Sequence, residues 1–467
     1  MRLRTVLRIL LVALPATVPL TACAPEPPPA GPAPPPNVVF FVGDGFGVGA
    51  WSLGREWARH RGESLILDEA ENVGFLETHC ADEIATDSAA AASAWAVGAL
   101  GPRFAVGSQD DPPRPGLFEV LRAADRAFGF VTTARATHAT PAPFYARASH
   151  RDEESRIAEQ LVENMPVVAI GGGRRYFLPR ARDGRRGDAR DLLAEAEADG
   201  IAVLREFEVP LPTDRPVLAL LGTSHLPHEL DRGEAPDLAE LVLAALDRLE
   251  AEGRPWFLLV EESRIDSAAH DHDGAGLARN VIRLDRAVRA VLDRVDPERT
   301  LVVVTADHST ASPTLNENAR PESLDVVSMS VEAMERRIFD GKPWSGTPRS
   351  LEAHALPVLD EGARHTGLEA ADLDRLLTAV NYYERRTALG KTMSRRFGIS
   401  FLSYRDHKES EEVHGHTVDP VPIRAWGVRS EEVRGVHDHA EIGRWLRDVM
   451  DVLPQAPALI DTPADEG

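Results

Sequence analysis

The 467-residue chain is poor in cysteine, lysine and aromatic residues. Its two cysteines, Cys23 and Cys80, exclude a disulfide framework and a cysteine-rich metal site. Any bound metal must therefore be held by histidine, aspartate and glutamate. Lysine occurs only at Lys342, Lys391 and Lys408, so nearly all of the 52 basic residues are arginine. Positive charge is itself scarce: 74 acidic residues give a formal net charge of −22, which repels polyanions and argues against a general nucleic-acid binder. Any phosphate bound here needs local positive charge. What is present is ordinary for a globular protein, with 43% hydrophobic and 27% charged residues, which excludes a fully disordered, collagen-like or coiled-coil chain. The length permits one to three domains.

The front of the chain reads as an address. Arg2, Arg4 and Arg8 precede the apolar stretch Ile9 to Leu20, too short to span a bilayer comfortably. Leu20-Thr21-Ala22-Cys23 resembles the bacterial lipoprotein cleavage box. Residues 1–22 are therefore expected to be a signal peptide, with Cys23 acylated as the first mature residue. Residues 23–36, dominated by proline, cannot pack a core and favour an extended tether. The folded catalytic part is expected over 37–455, followed by a flexible tail at 456–467. Cys80 is expected to be buried and inert.

Three continuous apolar runs end in potential ligands. Asn37 to Val42 stops at Gly43-Asp44-Gly45, Trp256 to Val260 runs into Glu261-Glu262, and Leu301 to Val304 runs into Thr305-Ala306-Asp307-His308. Such runs suit strands buried on both faces of a parallel sheet. Further strands are expected at 129–133, 167–170, 217–221 and 423–428, and helices at 153–164, 188–199, 236–252, 276–295 and 438–452. This alternation predicts a three-layer α/β/α sandwich with a large, mostly parallel central sheet. Ligands in such folds bind outside the carboxyl ends of the strands, where these acids fall.

A single acid at a strand end also fits a solvated turn or a helix cap. Asp266 and His270, four apart, share a face if they lie on a helix, but alone they fit a surface helix turn equally well. Glu261 lies five residues before them, so one strand-to-helix passage supplies an O/N donor set suited to zinc and magnesium. Thr86-Asp87-Ser88 opens the helix-favouring run Ala89 to Ala96, placing Ser88 at a helix N-terminus where unpaired N–H groups favour a phosphate. The capping alternative is that Asp87 or Ser88 simply closes that helix.

In their order along the chain, these motifs resemble those of the alkaline phosphatase family from Asn37 to about Val452. Val42-Gly43-Asp44-Gly45, Thr86-Asp87-Ser88-Ala89-Ala90, His138-Ala139-Thr140-Pro141 with Arg151 eleven residues after Thr140, Val260-Glu261 through Ile265-Asp266 to His270, and Thr305-Ala306-Asp307-His308 look like five successive family motifs. A final histidine is needed. His365 and His416 compete for it; Thr366 with Glu369 reads as a capping box, whereas His416 precedes a strand and a closing helix running from Gly435 onward, as in the family. His416 is chosen, with His414 as fallback.

The resemblance implies an exported phosphatase that cleaves phosphate monoesters through a covalent phosphoserine at Ser88, with Arg151 clamping the phosphate. It implies two zinc ions, one on Asp266, His270 and His416 and one on Asp44, Asp307 and His308, and a magnesium ion on Asp44, Thr140 and Glu261. Small phosphate monoesters are the implied substrates, the lipid on Cys23 anchors the protein to a membrane in the periplasm or at the cell surface, and a homodimer is an option. His138 and Ser267 stand where some relatives carry aspartate, and lysine or histidine; His138 also fits a plain hydrogen-bonding role. A phosphodiesterase of the same superfamily is the alternative, though such relatives commonly use threonine; a non-catalytic phosphate- or metal-binding lipoprotein is the third reading. The long interval between His308 and His416 reads as an inserted subdomain over about 317–412, with the pair Tyr382-Tyr383 expected in a core.

Overall fold

The protein, seen as a computed structural model, is described over residues 35–365, 367–402, 404–405, 412–413 and 415–452. The expected signal peptide, Cys23, most of the tether, His414, Thr366 and the tail at 456–467 lie outside the described residues.

Along the first half run β1 (Asn37–Gly43), α1 (Val48–His60), β2 (Asn72–Glu77), α2 (Ser88–Val97), α3 (Leu117–Ala123), β3 (Ala127–Arg135), α4 (Ala142–Tyr145), α5 (Glu154–Glu163), β4 (Val168–Gly172), α6 (Leu192–Ala198), β5 (Ala202–Leu204) and β6 (Val217–Leu220). The second half continues with α7 (Leu238–Glu250), β7 (Trp256–Glu262), α8 (Arg264–His270), α9 (Gly274–Arg294), β8 (Thr300–Thr305), β9 (Ser309–Thr310) and β10 (Thr314–Leu315). Four helices follow, α10 (Val331–Phe339), α11 (Pro348–Ala363), α12 (Ala370–Thr378) and α13 (Tyr382–Phe397). The chain then returns through β11 (Ile399–Ser400), β12 (Tyr404–Arg405), β13 (Glu412–Val413), β14 (His416–Thr417), β15 (Val421–Gly427), β16 (Gly435–Asp438) and α14 (His439–Val449).

Ten strands form one sheet in the order β16-β2-β15-β8-β1-β7-β3-β4-β6-β5. Its pairings are parallel except where β15 meets β2 and β8. This is the expected mostly parallel sandwich. The three apolar runs that the sequence singled out, β1, β7 and β8, lie side by side at its centre, and their side chains are buried on both faces. Alternation along β1 assigns the layers. Phe40 meets Trp95 of α2 at 5.2 Å between ring centroids, and on the same face Phe257 meets Phe118 of α3 at 6.2 Å. The opposite face carries α9, whose Leu284 would touch a Cβ at Gly43. Two helical layers thus enclose the sheet, as period-2 alternation on a doubly buried strand requires.

Three local readings are corrected. Gly435–Asp438 is not the start of the closing helix but edge strand β16, parallel to β2; α14 begins at His439, capped by Asp438 with Glu441 in a capping box. The capping box expected from Glu369 is present but shifted: Glu369 is itself the N-cap, paired with Asp372. Tyr382 and Tyr383 open α13 on the surface, 41% and 60% exposed, stacked on each other rather than in a core.

Candidate active site

The site forms at the carboxyl edge of the three central strands because their register puts the chain exits level. Val42 of β1 pairs with Glu261 of β7 and with Thr305 of β8, so Asp44, Glu261 and Asp307 emerge together. Gly45, at φ +70°, carries the β1 exit against α8: a Cβ there would stand 2.9 Å from Asp266 Cα, a contact only glycine avoids. His416 is delivered from far along the chain by β14, which pairs with β9 directly after His308 (His416 opposite Thr310).

Most of the expected site residues converge. Ser88 Oγ lies 3.3 Å from His308 Nε2, Asp307 Oδ2 3.2 Å from the same nitrogen, and Asp44 Oδ1 3.8 Å from it. The rings of His308 and His416 stack at 3.5 Å, with His270 5.4 Å from His416. Asp266 Oδ1 is 3.4 Å from His270 Nε2 and 4.0 Å from His416 Nε2. Asp266, His270 and His416 form one grouping of potential ligand atoms. Two further groupings, Asp44 with Asp266 and His308, and Asp44 with His138 and Glu261, overlap the expected second and third sets, with Asp266 and His138 joining them.

Hydrogen bonds fix which imidazole nitrogen faces the cluster. Thr310 Oγ1 donates to Asp266 Oδ1 at 2.6 Å and so accepts from His308 Nδ1 at 3.2 Å, which leaves a lone pair on His308 Nε2. His416 Nδ1 donates to the Thr86 carbonyl at 3.0 Å, which leaves its Nε2 lone pair toward Asp266. Burial pushes the pKa of each ring down to about 3, so both stay neutral. The carboxylates show the converse strain. Burial, then the charges of Asp307, Asp266 and Glu261, raise Asp44 well above the usual range; burial, then Asp266, raises Asp307 to about 6. Burial opposes ionisation of Asp266 too, but His270 beside it and the Thr310 hydroxyl that donates to it hold it below the usual range. Asp307 Oδ1 accepts from the N–H groups of Gly45 and His308, while Asp307 Oδ2 and Asp44 Oδ1 are buried without a hydrogen-bond partner among the described residues. Orphan carboxylate oxygens opposite imidazole lone pairs fit divalent cations, which would neutralise the repulsion that raises these pKa values.

Arg151 is held by two partners. Its Nη1 donates to Asp87 Oδ2 at 2.8 Å and its Nη2 to His138 Nε2 at 3.3 Å, so the His138 proton sits on Nδ1 and is donated to Glu261 Oε1 at 3.2 Å. His138 thus makes the hydrogen bonds that the sequence allowed for, and it also stands in the grouping with Asp44 and Glu261. Burial works to raise the pKa of Glu261, yet His138 and Thr132, which both hydrogen-bond to it, keep it lowered; Thr140 Oγ1 is buried without a hydrogen-bond partner among the described residues. Ser267 accepts from Arg264 at 3.0 Å.

The helix N-terminus differs from the expectation. Asp87 is the N-cap of α2, and its carboxylate occupies the N–H groups of Ala89 and Ala90 as well as that of Phe104. Both sequence alternatives hold at once: Asp87 caps, and Ser88 is the first helical residue. Those amides are therefore already taken and do not offer an anion site. Two residues were missed by sequence reasoning, Thr310, which orients both His308 and Asp266, and His439, buried, whose Nε2 donates to the Asp307 carbonyl at 2.8 Å. No sequence signal marked His439, since it stood in what read as a helix interior.

A serine at the rim of a carboxylate–imidazole cluster, on the carboxyl edge of a doubly covered parallel sheet, defines a hydrolase built for metal-assisted transfer of an anionic group. The chain belongs to the alkaline phosphatase family, whose profile, described as alkaline phosphatase, matches residues 36–452, and it is a phosphomonoesterase of that family. It is 32% identical over 390 residues to streptomycin-6-phosphate phosphatase of Streptomyces griseus, covering 71% of this chain and 86% of that relative. It is 28% identical over 435 residues to alkaline phosphatase 3 of Bacillus subtilis (strain 168), covering 87% of each. The crystal structure of Thermus thermophilus alkaline phosphatase superposes with a TM-score of 0.79 at 26% identity, covering 91% of this chain and 93% of that one.

Proposed function

We propose that the protein hydrolyses phosphate monoesters through a covalent phosphoserine on Ser88. The observation that carries this reading is the serine hydroxyl 3.3 Å from His308 Nε2, at the edge of the cluster of Asp44, Asp266, Asp307 and His416. Two zinc ions would be held by Asp266, His270 and His416 and by Asp44, Asp307 and His308, and a magnesium ion by Asp44, Thr140 and Glu261. When bound, these cations supply charge neutralisation, a lowered hydroxyl pKa and activated water. Ser88 Oγ bonds to phosphorus as the ester P–O bond breaks and the alcohol departs with a proton. Water then cleaves the phosphoserine, releasing inorganic phosphate and restoring the hydroxyl. Arg151 donates to non-bridging oxygens, its plane set by Asp87 and His138. In a protein of net charge −22, this guanidinium and the cations are what draw an anionic substrate in.

Ser88→Ala is expected to abolish hydrolysis of an aryl phosphate, a loss of at least about 1,000-fold, with zinc content unchanged. Metal analysis and a steady-state assay on one preparation check this. Wild-type activity surviving exhaustive chelation would remove the metal-dependent reading, and faster cleavage of an aryl phosphodiester than of the monoester would favour the diesterase alternative.

The sequence supports export as a lipoprotein acylated at Cys23; labelled fatty acid should enter the wild type and not Cys23→Ala. The exposed apolar residues Val73 and Phe75 on β2 and Val436 on β16, the last directly opposite Phe75 in register, support a homodimer closing over this sheet edge. Light scattering should give twice the monomer mass, and Phe75→Glu should halve it.

A further inference from the structure

The turn after α8, residues 270–273, is gripped along one face of α13. Ser394 Oγ donates to the His272 carbonyl at 2.6 Å. One turn earlier, Gly390 lies so close beneath Asp271 that a Cβ there would stand 1.9 Å from the Asp271 carbonyl oxygen. A further turn back, Thr387 Oγ1, bonded to Tyr383 O at 3.0 Å, stands 3.4 Å from the His270 carbonyl. The spacing of 387, 390 and 394 is that of one helix face. Arg386 closes the grip from the side, 3.6 Å from Asp271 and 3.5 Å from Glu332 of α10. Glu332 in turn pairs with Arg264, the first residue of α8. Both ends of α8 are therefore tied to the helical segment between β10 and β11.

α8 needs such support. It has seven residues and no side-chain cap, and a helix that short is not stable by its own propensity. Its position is set by what packs on it, and it carries Asp266 and His270. Ligand atoms must sit within about 0.2 Å of their required distances to hold a metal, so a device that fixes the 270–273 turn also fixes the donor geometry of His270.

We propose that α13 is a brace that sets the position of His270, with Gly390 and Ser394 as positioning residues for a cation held by Asp266, His270 and His416. This rests on the cation assignment made under the proposed function. In Gly390→Ala, the new methyl meets the Asp271 carbonyl far inside the 3.4 Å of ordinary contact, and the turn has to retreat, taking His270 with it. Ser394→Ala removes one donor without adding volume, and Ser394→Thr keeps the hydroxyl.

The test is a titration of metal-free protein with buffered zinc, read as bound zinc per chain at each free zinc concentration, with His270→Ala as the reference. The expected result is that His270→Ala abolishes one zinc equivalent, that Gly390→Ala moves the midpoint of that equivalent about 10- to 100-fold to higher free zinc, the range usual for groups supporting a metal ligand, and that Ser394→Ala moves it in the same direction while Ser394→Thr restores it. Leu376→Ala, in the buried core of α12, should lower the melting temperature of the metal-free protein and leave the midpoint in place. If His270→Ala leaves all zinc equivalents unchanged, the cation assignment falls and the brace with it. If His270→Ala loses an equivalent while the α13 variants bind at the wild-type midpoint, the brace alone is overturned. An equal shift in Leu376→Ala would also overturn it, because general destabilisation would then account for the effect. Should Gly390→Ala fail to fold, Ser394→Ala and its threonine rescue decide the question.

Discussion

At the scale of single residues, the protein places ionisable groups where burial works against them, and not only at the active site. Asp285 of α9 is 5% exposed and accepts a hydrogen bond from the Leu67 N–H at 3.0 Å; burial raises its pKa to about 6. The sign follows from linkage: a carboxyl whose folded pKa exceeds its unfolded value of 3.8 contributes stability below about pH 4 and loses it as pH rises through about 6. A rise of that size corresponds to roughly 2–3 kcal/mol. Asp285→Asn keeps an acceptor for Leu67 and cannot ionise. It should therefore raise the melting temperature more at pH 8 than at pH 5, as calorimetry at the two pH values would show.

At the scale of elements, α2 does two jobs through one residue. Asp87 closes its N-terminus and anchors Arg151, 64 positions away in sequence. Asp87→Asn keeps one oxygen as acceptor for the Ala90 and Phe104 N–H groups but sets an amide NH2 against the Ala89 N–H and Arg151 Nη1 that shared Oδ2. It should lower kcat/KM for a monoester by about tenfold and cost about 1 kcal/mol of stability, whereas Asp87→Ala, which loses the whole cap, should lower kcat/KM and cost about 1–2 kcal/mol. Steady-state kinetics and denaturant melts on both variants separate the two jobs. The capping half of this was legible from Thr86-Asp87-Ser88; the anchoring half was not, because a contact between chain segments so far apart leaves no local pattern. The same division runs through the sheet. β1, β7 and β8 were legible because a strand buried on both faces is a continuous apolar run. β2 buries Asn72, Gly74 and Leu76 and exposes Val73, Phe75 and Glu77, so its apolar residues do not alternate with polar ones, and β16 is four residues at an edge; neither stands out from loop or helix. The carboxylates at the central strand ends were consequently readable, while Thr310 on the two-residue β9 and His439 at the start of α14, which hydrogen-bond around them, were not.

At the scale of the whole molecule, the three strands that end near Asp44, Glu261 and Asp307 are neighbours, α8 adds Asp266 and His270, and His416 is clipped on by a two-residue pairing with β9. The cluster of Asp44, Asp266, Asp307 and Glu261 is thus a place where the folded chain without cations stores repulsion, and where a bound cation would favour the native state over the unfolded one. Zinc at 100 times its dissociation constant should add about 2.7 kcal/mol per site. Chelation is therefore expected to lower the melting temperature by several degrees, fully reversed by readdition of zinc, and Asp44→Asn/Asp307→Asn should shrink that difference. Scanning calorimetry with and without chelator measures it.

The clip that brings His416 beside Thr310 also sets a timetable for biosynthesis. A ribosome will have polymerised every other donor well over a hundred residues before that imidazole clears the exit tunnel, so nascent chains carry an open, incomplete nest of acids and rings for much of their synthesis. Products terminated before His416 are born unable to assemble it, however well their central strands have already collapsed.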